Sequence, residues 1–497
     1  MTDLLLPALV ALPVVGAALA VLAGDRLAGW ISGTTLTAQT LLAGALVARV
    51  ADSGRVSTVV GGFRPAVGVE LRADPLAGLV VALVAVVVLG AVWYANATPS
   101  VSGARPDVLL LLLTAGLSGV ALTADLFNLY VVLEITGLAA YALVALGERG
   151  SARAALRYLV VGTVGASLYL LGVAYLYISL GQLNIARSNE FISQVGLSSP
   201  LVLAAFSLAF VGLAVKIPLV PVHTWLPDAH ARASVPASVV LSALVTTAGV
   251  YGLVKVLYGA FGTEFLTANP AVGQLISGLG AVSLLVGGAL ALRESKVKRV
   301  LAYSTVSQLG IVVVGVGLGS RVGLTGSAVH LLGHAVTKAG LFFSAGLLAS
   351  ATDAKTVEEY AGLADRAPVT SAAFALLSLG MIGVPPTVGF AGKWYVLVAA
   401  ADAEAWLLVG AVLVSSLVSL AYFGRILAQM YFASAESDRA EGPDAPTAAG
   451  PNRPLDSVPA SALDALPVAA AVATVALGLS AALLAQFLEP AISGLLA

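Results

Sequence analysis

The sequence predicts an all-α polytopic membrane protein of about fourteen transmembrane helices. Three observations carry that reading. Hydrophobic residues make up 59% of the 497 positions and charged residues only 10%, with a mean hydropathy of +0.98, a balance that soluble domains do not show. Apolar runs near the ~20 residues needed to cross a bilayer recur along the whole chain. The runs are continuous and not alternating, which selects helices over a closed barrel, the other structure that satisfies its backbone in lipid.

In order, the runs are 3–23, 28–49, 75–97, 106–124, 125–147, 155–181, 199–223, 236–260, 270–292, 300–318, 324–350, 368–400, 406–433 and 464–493. The first lies in "MTDLLLPALVALPVVGAALAVLAGDR". It lacks the basic n-region of a secretory signal and reads as a span, although "ALA" resembles a cleavage site. Residues 50–74 are polar and carry Arg55, Arg64 and Arg72. Residues 434–463, with "SAESDRAEGPDAPTAAGPNRPLDSVPASA", form a flexible Pro/Ala/Gly-rich linker before the last span. Fifteen Lys and Arg follow odd-numbered spans and six follow even-numbered ones. Odd loops are therefore expected in the cytoplasm and both termini outside.

The net charge of −1 offers no basic surface for nucleic acid. With no cysteine, the chain itself holds no disulfide, Fe–S cluster or thiolate metal site. It carries no Walker loop, no GxSxG elbow and no convincing haem histidine pair. No cofactor is expected, and the energy source must be an ion gradient or a partner. The chain reads as a transporter subunit and not as an enzyme in its own right.

Twenty-one of the twenty-five Lys and Arg fall in loops or in the outer parts of runs. The four that remain are all lysines inside spans: Lys216, Lys255, Lys338 and Lys393. Glu134 is the acid in the middle of a span, and Asp125 and Asp228 lie near span ends. An ionisable group at mid-bilayer costs roughly 2.5–3.5 kcal/mol on insertion scales, so it persists where it pairs, faces water or moves ions. Lysine can give up its proton when desolvated and arginine effectively cannot. Lysines with one glutamate therefore fit a proton relay. Snorkelling at span ends is the plain alternative, most applicable to Lys255.

Prolines mark two of these lysines. In "GLAVKIPLVPVHTWLPDAH" Lys216 is followed by Pro218 and Pro221; in "GMIGVPPTVGFAGKWYVLVAA" Pro385, Pro386, Gly389 and Gly392 precede Lys393. Proline removes a donor and breaks the helix, which lipid tolerates only where protein or water satisfies the freed groups. Two broken spans five apart imply inverted repeats of five helices, spans 4–8 and 9–13. The plain alternative is that Pro and Gly are common in membrane helices. The expected division is 1–105 for the first three helices, 106–262 and 263–433 for the repeats, 434–463 for the linker and 464–497 for the last helix.

In "SAVHLLGHAVTKAGLFFSAGLL", His330, His334 and Lys338 lie at i, i+4 and i+8, on one helix face. Histidine titrates nearest neutrality, so the stripe could pass protons between the broken spans. Packing histidines are the alternative. A zinc site is disfavoured because no cysteine or acid shares the face.

The motifs "LFNLYVVLE", "LAVKIPLVPVHTWLPDAHARASVPAS", "KVKRVLAYSTVSQLG", "HLLGHAVTKAGLFFSAG" and "PPTVGFAGKWYV" together resemble the antiporter-like subunits of respiratory complex I, membrane-bound hydrogenases and Mrp-type cation/proton antiporters. The resemblance runs from about 70 to 430 and is strongest to the D subunit of an Mrp antiporter. It implies fourteen helices with helices 7 and 12 broken. It implies that Glu134 pairs with Lys216, that Lys393 is the helix 12 lysine, and that His334 and Lys338 are the polar positions of helix 11. One position departs from the pattern. Where family members often carry Lys or His in helix 8, this chain has Thr247. Lys255 follows eight residues on, ~12 Å by helix rise. A relay must then cross by water, by Thr246 and Thr247, or by the histidines. His223 and Asp228 would mark the cytoplasmic exit of helix 7.

The resemblance implies a proton-translocating subunit of a multi-subunit Na⁺/proton antiporter in the cell membrane. Its partners would be other membrane subunits, lipid, protons and a monovalent cation. The runner-up is a proton-pumping subunit of complex I or of a membrane-bound hydrogenase. A scaffold with a decayed channel is a third reading.

Overall fold

A computed structural model describes residues 4–62, 68–98, 102–434 and 462–497. Arg64, Arg439, Arg453 and nearly all of the 434–463 linker lie outside the described residues.

Helices α1 (Leu5–Ala23) and α2 (Asp25–Ser53) are joined by Gly24 alone, at φ 70°, a left-handed conformation that suits glycine. The polar stretch after α2 departs from an all-helical chain. It forms an antiparallel hairpin, β1 (Val56–Val59) and β2 (Glu70–Ala73), with Val56 opposite Ala73. Asp74 then caps α3 (Pro75–Ala97) by accepting from the Ala77 amide at 2.8 Å, with proline at the first helical position. Next come α4 (Ala104–Leu122), α5 (Leu126–Ala145, capped by Asp125), α6 (Ser151–Leu180) and the polar connector α7 (Ile185–Val195).

The span expected at 199–223 is broken. Helix α8 (Pro200–Lys216) stops at the lysine and α9 (Trp225–Arg232) resumes after the prolines. Helix α10 (Val235–Ala268) is one helical run interrupted by two π-helical turns, Leu241–Val245 and Lys255–Phe261. Helices α11 (Pro270–Arg293), α12 (Val297–Gly317) and α13 (Arg321–Thr352) follow. The span expected at 368–400 is broken too, into α14 (Pro368–Ile382) and α15 (Val388–Asp402). Helix α16 (Trp406–Phe432) precedes the linker, and α17 (Ala465–Leu479) and α18 (Ala481–Leu496) close the described chain.

Among the described residues, twelve helical runs are long and apolar enough to cross a membrane. Three shorter apolar helices, α8, α14 and α18, add to them. The chain is thus a polytopic, almost wholly helical membrane protein. Helices α10, α12 and α13 are buried nearly all round and form its centre, while α1, α2 and α16 turn broad apolar faces outward. Small residues let the helices close up, as expected in lipid. At the α11–α12 crossing, a Cβ on Gly280 would stand 2.8 Å from the Gly310 carbonyl oxygen, and one on Gly310 would stand 2.6 Å from that of Gly280.

Candidate functional site

Lys216 occupies the last turn of α8 and is 5% exposed. Its Nζ donates to Glu134 Oε1 at 2.9 Å and to the Tyr141 hydroxyl at 3.2 Å. Glu134, Gly137 and Tyr141 lie at i, i+3 and i+7, one stripe of α5. Gly137 has a steric role there, because a Cβ on it would sit 3.1 Å from the ammonium and 3.0 Å from the Tyr141 hydroxyl. The absent side chain leaves the cradle open.

The break after Lys216 is held from both sides. Pro218 and Pro221 bring no amide proton, and the Val220 amide donates to Ser283 Oγ of α11 at 2.9 Å. Trp225, at the start of α9, donates its indole N–H to the Val215 carbonyl at 3.0 Å. Its ring stacks on Tyr158 at 3.9 Å, and Tyr158 meets Tyr141 edge-on at 4.4 Å. An aromatic stack thus ties the two half-helices around the ion pair.

The other three lysines are held by carbonyls. Lys255 Nζ donates to Val120, Ala121 and Thr123 oxygens at 3.0, 2.6 and 2.7 Å, at the C-terminal end of α4. Lys393 does the same for α14, donating to the Met381 and Ile382 oxygens at 2.9 Å each. Both ammonium groups meet the negative end of a helix dipole. Lys255 therefore does not snorkel to water. Lys338, fully buried in α13, donates to the Leu301 oxygen at 2.8 Å and to the Ser304 hydroxyl. Among the described residues, Lys216 alone of the four meets a carboxylate.

The histidine stripe is connected differently from its helical spacing. His330 Nε2 pairs with Gln308 Oε1 at 3.0 Å. Gln308 Nε2 donates to the Met381 oxygen at 3.2 Å, the same oxygen that holds Lys393. His334, between His330 and Lys338 in sequence, finds no hydrogen-bond partner on either ring nitrogen among the described residues. The polar connection from Lys338 instead leaves α13. Ser304 touches Lys338, and the Tyr422 hydroxyl of α16 stands beside Ser304, Gln308 and Ser419, 3.1 Å from the last.

Across the centre, both threonines turn back onto their own helix. Thr246 donates to the Ser242 oxygen at 2.8 Å and Thr247 to the Ala243 oxygen at 2.7 Å. The crossing contact lies one turn earlier. Ser242, inside a π-helical turn, shares a 2.7 Å hydrogen bond with Thr305 of α12, and Thr305 donates to the Leu301 oxygen that holds Lys338. Near Lys216, α10 packs through Gly249, where a Cβ would stand 3.0 Å from the Lys216 carbonyl carbon.

His223 is buried near the Tyr303 ring, and Asp228 accepts from Arg157 and, at 2.9 Å, from Arg299. Asp228 sits in the first turn of α9, in a partly exposed ion-pair cluster. Sequence reasoning missed Tyr141, Ser242, Ser304, Thr305, Gln308 and Tyr422. Tyr141 carried a signal, its seven-residue offset from Glu134. Ser304 and Gln308 sit four apart inside the quoted "KVKRVLAYSTVSQLG". Ser242 and Tyr422 carry no signal that separates them from ordinary packing.

The fold as a whole matches known membrane subunits. The family described as NADH:quinone oxidoreductase/Mrp antiporter, TM, matches residues 123–419. The chain belongs to that family. It is 40% identical over 443 residues to NADH-quinone oxidoreductase subunit N of Desulforudis audaxviator (strain MP104C), covering 88% of this chain and 84% of that one. A chain of the membrane-bound sulfane sulfur reductase, an archaeal respiratory membrane complex, superposes with a TM-score of 0.89 at 27% identity, covering 99% of this chain and 98% of that one. A chain of the Mrp complex from Dietzia sp. DQ12-45-1b gives 0.88 at 26% identity, covering 99% and 97%. The protein is an antiporter-like membrane subunit.

Proposed function

We propose that this chain carries protons along a mid-membrane polar route, as one subunit of a multi-subunit complex in the cell membrane. The observation that carries the proposal is the 2.9 Å contact between Lys216 and Glu134 at a helix break. While the pair is closed, Glu134 stabilises the protonated lysine. When it opens, Lys216 holds a buried, unpaired charge, a costly state, and passes its proton on. The hydroxyls of Ser242, Thr305 and Ser304 can each donate and accept, as a proton hop requires. Lys338 lies beside them, and Tyr422, Gln308 and His330 continue toward Lys393. In this scheme residues 106–262 and 263–433 act as two inverted repeats, each with its own broken helix. The Lys/Arg-rich loops face the cytoplasm and both termini lie outside. Thr246 and Thr247 orient the central helix, and His334 is a reserve site beside the route.

What drives the flux has two readings, each with an observation behind it. Exchange against Na⁺ or another monovalent cation, an Mrp-type antiport, is supported by the fold shared with the Dietzia complex. A redox-driven pump is supported by the 40% identity to a complex I subunit. Purifying the complex and reconstituting it in vesicles separates them. Proton flux that follows an imposed Na⁺ gradient supports antiport. Flux that requires an electron donor and copurifying Fe–S subunits supports the pump. An assembled complex that moves protons under neither condition would overturn the proposal.

A further inference from the structure

We propose that the groove between α2 and α3, at the end where α1 turns into α2, binds one phospholipid with a primary ammonium headgroup, of the phosphatidylethanolamine class. The groove has a volume of about 760 Å³. Asp25, Arg26 and Asn96 line its outer end, and Gly33 and Leu89 its inner end. Trp30 and Trp93 stand between, 77% and 44% exposed. The groove opens at the level of the turns that follow odd-numbered spans, and none of these residues belongs to the proton route.

Two glycines make the groove. Gly29 and Gly33 lie at i and i+4 on α2, one stripe without side chains. A Cβ on Gly29 would stand 2.8 Å from the Asn96 side-chain oxygen, so the Asn96 amide lies over that glycine. A Cβ on Gly33 would meet nothing within 4 Å, so the groove stays open there. Gly33 and Leu89 each lie eight residues in from the end of their helix, ~12 Å by rise. Trp30 and Trp93 lie five and four residues in, ~6–8 Å, where indoles mark a membrane interface.

This is the layering of a phospholipid: charged headgroup, ester region, acyl chain. The charges at the outer end complement a zwitterion. Arg26 takes part in none of the ion pairs among the described residues, and a guanidinium fits a phosphate with two parallel hydrogen bonds. Asp25 uses one oxygen to cap α4, accepting from the Ala104 amide at 2.8 Å, and its other oxygen can accept from an ammonium. A quaternary choline has no N–H to donate there, and a glycerol headgroup brings no positive charge. The two indoles flank the ester region, whose oxygens can accept from their N–H groups. An apolar partner helix would leave Arg26 and both indoles without acceptors.

Photo-crosslinking in the whole purified complex tests the site. The complex is reconstituted with a trace of phosphatidylethanolamine carrying a diazirine on its acyl chain, and adducts are mapped by peptide mass spectrometry. Adducts are expected on α2 and α3 near Gly33 and Leu89. Unlabelled phosphatidylethanolamine is expected to displace them at several-fold lower mole fraction than phosphatidylcholine or phosphatidylglycerol. Arg26→Gln is expected to lower the adduct yield several-fold. Asp25→Asn keeps an oxygen for the Ala104 amide and is expected to remove the preference for phosphatidylethanolamine over phosphatidylglycerol. Equal displacement by all three lipids would show an ordinary boundary layer and overturn the site. So would wild-type yield in Arg26→Gln, or adducts on other outward helices with none on α2 and α3, the result if a partner subunit covers the groove.

Discussion

Lys216 is bound by one charge, one hydroxyl and one empty space, and each makes a distinct demand. Glu134 supplies the charge, Tyr141 the hydroxyl and Gly137 the space. Gly137→Ala puts a methyl 3.1 Å from the ammonium, tight enough to push the lysine off its partners. Proton flux in vesicles is expected to drop several-fold in that variant, with the complex still assembled. Lys255 serves a different end. It satisfies three carbonyls at the end of α4, and Lys255→Ala would strand them at ~1–3 kcal/mol for an unmet buried group. A lower unfolding temperature is expected, with less loss of flux than Lys216→Ala causes. Equal loss of flux in the two variants would show that Lys255 is part of the route.

At the scale of elements, the centre of the molecule depends on how α10 meets α12. The sequence placed the doubtful step at Thr247, because threonine stands where a titratable residue was expected. In the fold Thr247 is bonded to its own helix, and the crossing is the 2.7 Å contact of Ser242 with Thr305. Thr247→Val is therefore expected to leave flux nearly unchanged, while Ser242→Ala slows it several-fold. The reverse order, measured in the same vesicles, would restore Thr247 to the route. Thr247 was singled out by its place in the family pattern, whereas Ser242 lies inside the π-helical turn at Leu241–Val245. A helical wheel at 3.6 residues per turn mis-assigns faces after a π turn. The histidine stripe shows the same limit. Spacing correctly put His330, His334 and Lys338 on one side of α13, but hydrogen bonding passes through neighbouring helices, which no single-helix pattern records.

For the whole molecule, composition together with continuous apolar runs revealed a helical membrane protein. Apolar runs located nearly every helix, and prolines beside lysines located the breaks after Lys216 and before Lys393, while the division of the last expected span at Ser480 carried no such mark. These features were legible because lipid imposes them: length, continuity and the cost of buried charge act on the sequence directly. The hairpin at 56–73 was not legible, since a polar stretch between spans has no such constraint. Nor were Ser242 and Tyr422, uncharged residues that meet partners on a neighbouring helix. What emerges is a row of four intramembrane lysines in which, among the described residues, Lys216 alone meets a carboxylate, while the others are held by carbonyls, a hydroxyl and, for Lys255, the face of Tyr251. A row so arranged has one place where charge pairing can be made and broken, and that place is Lys216 with Glu134.

The most direct test is proton flux through the purified, reconstituted complex carrying Lys216→Ala, compared with wild type at equal assembly. Flux is expected to fall to the leak of empty vesicles, with Glu134→Ala behaving alike. Wild-type flux in an intact Lys216→Ala complex would contradict the claim that protons pass through this pair.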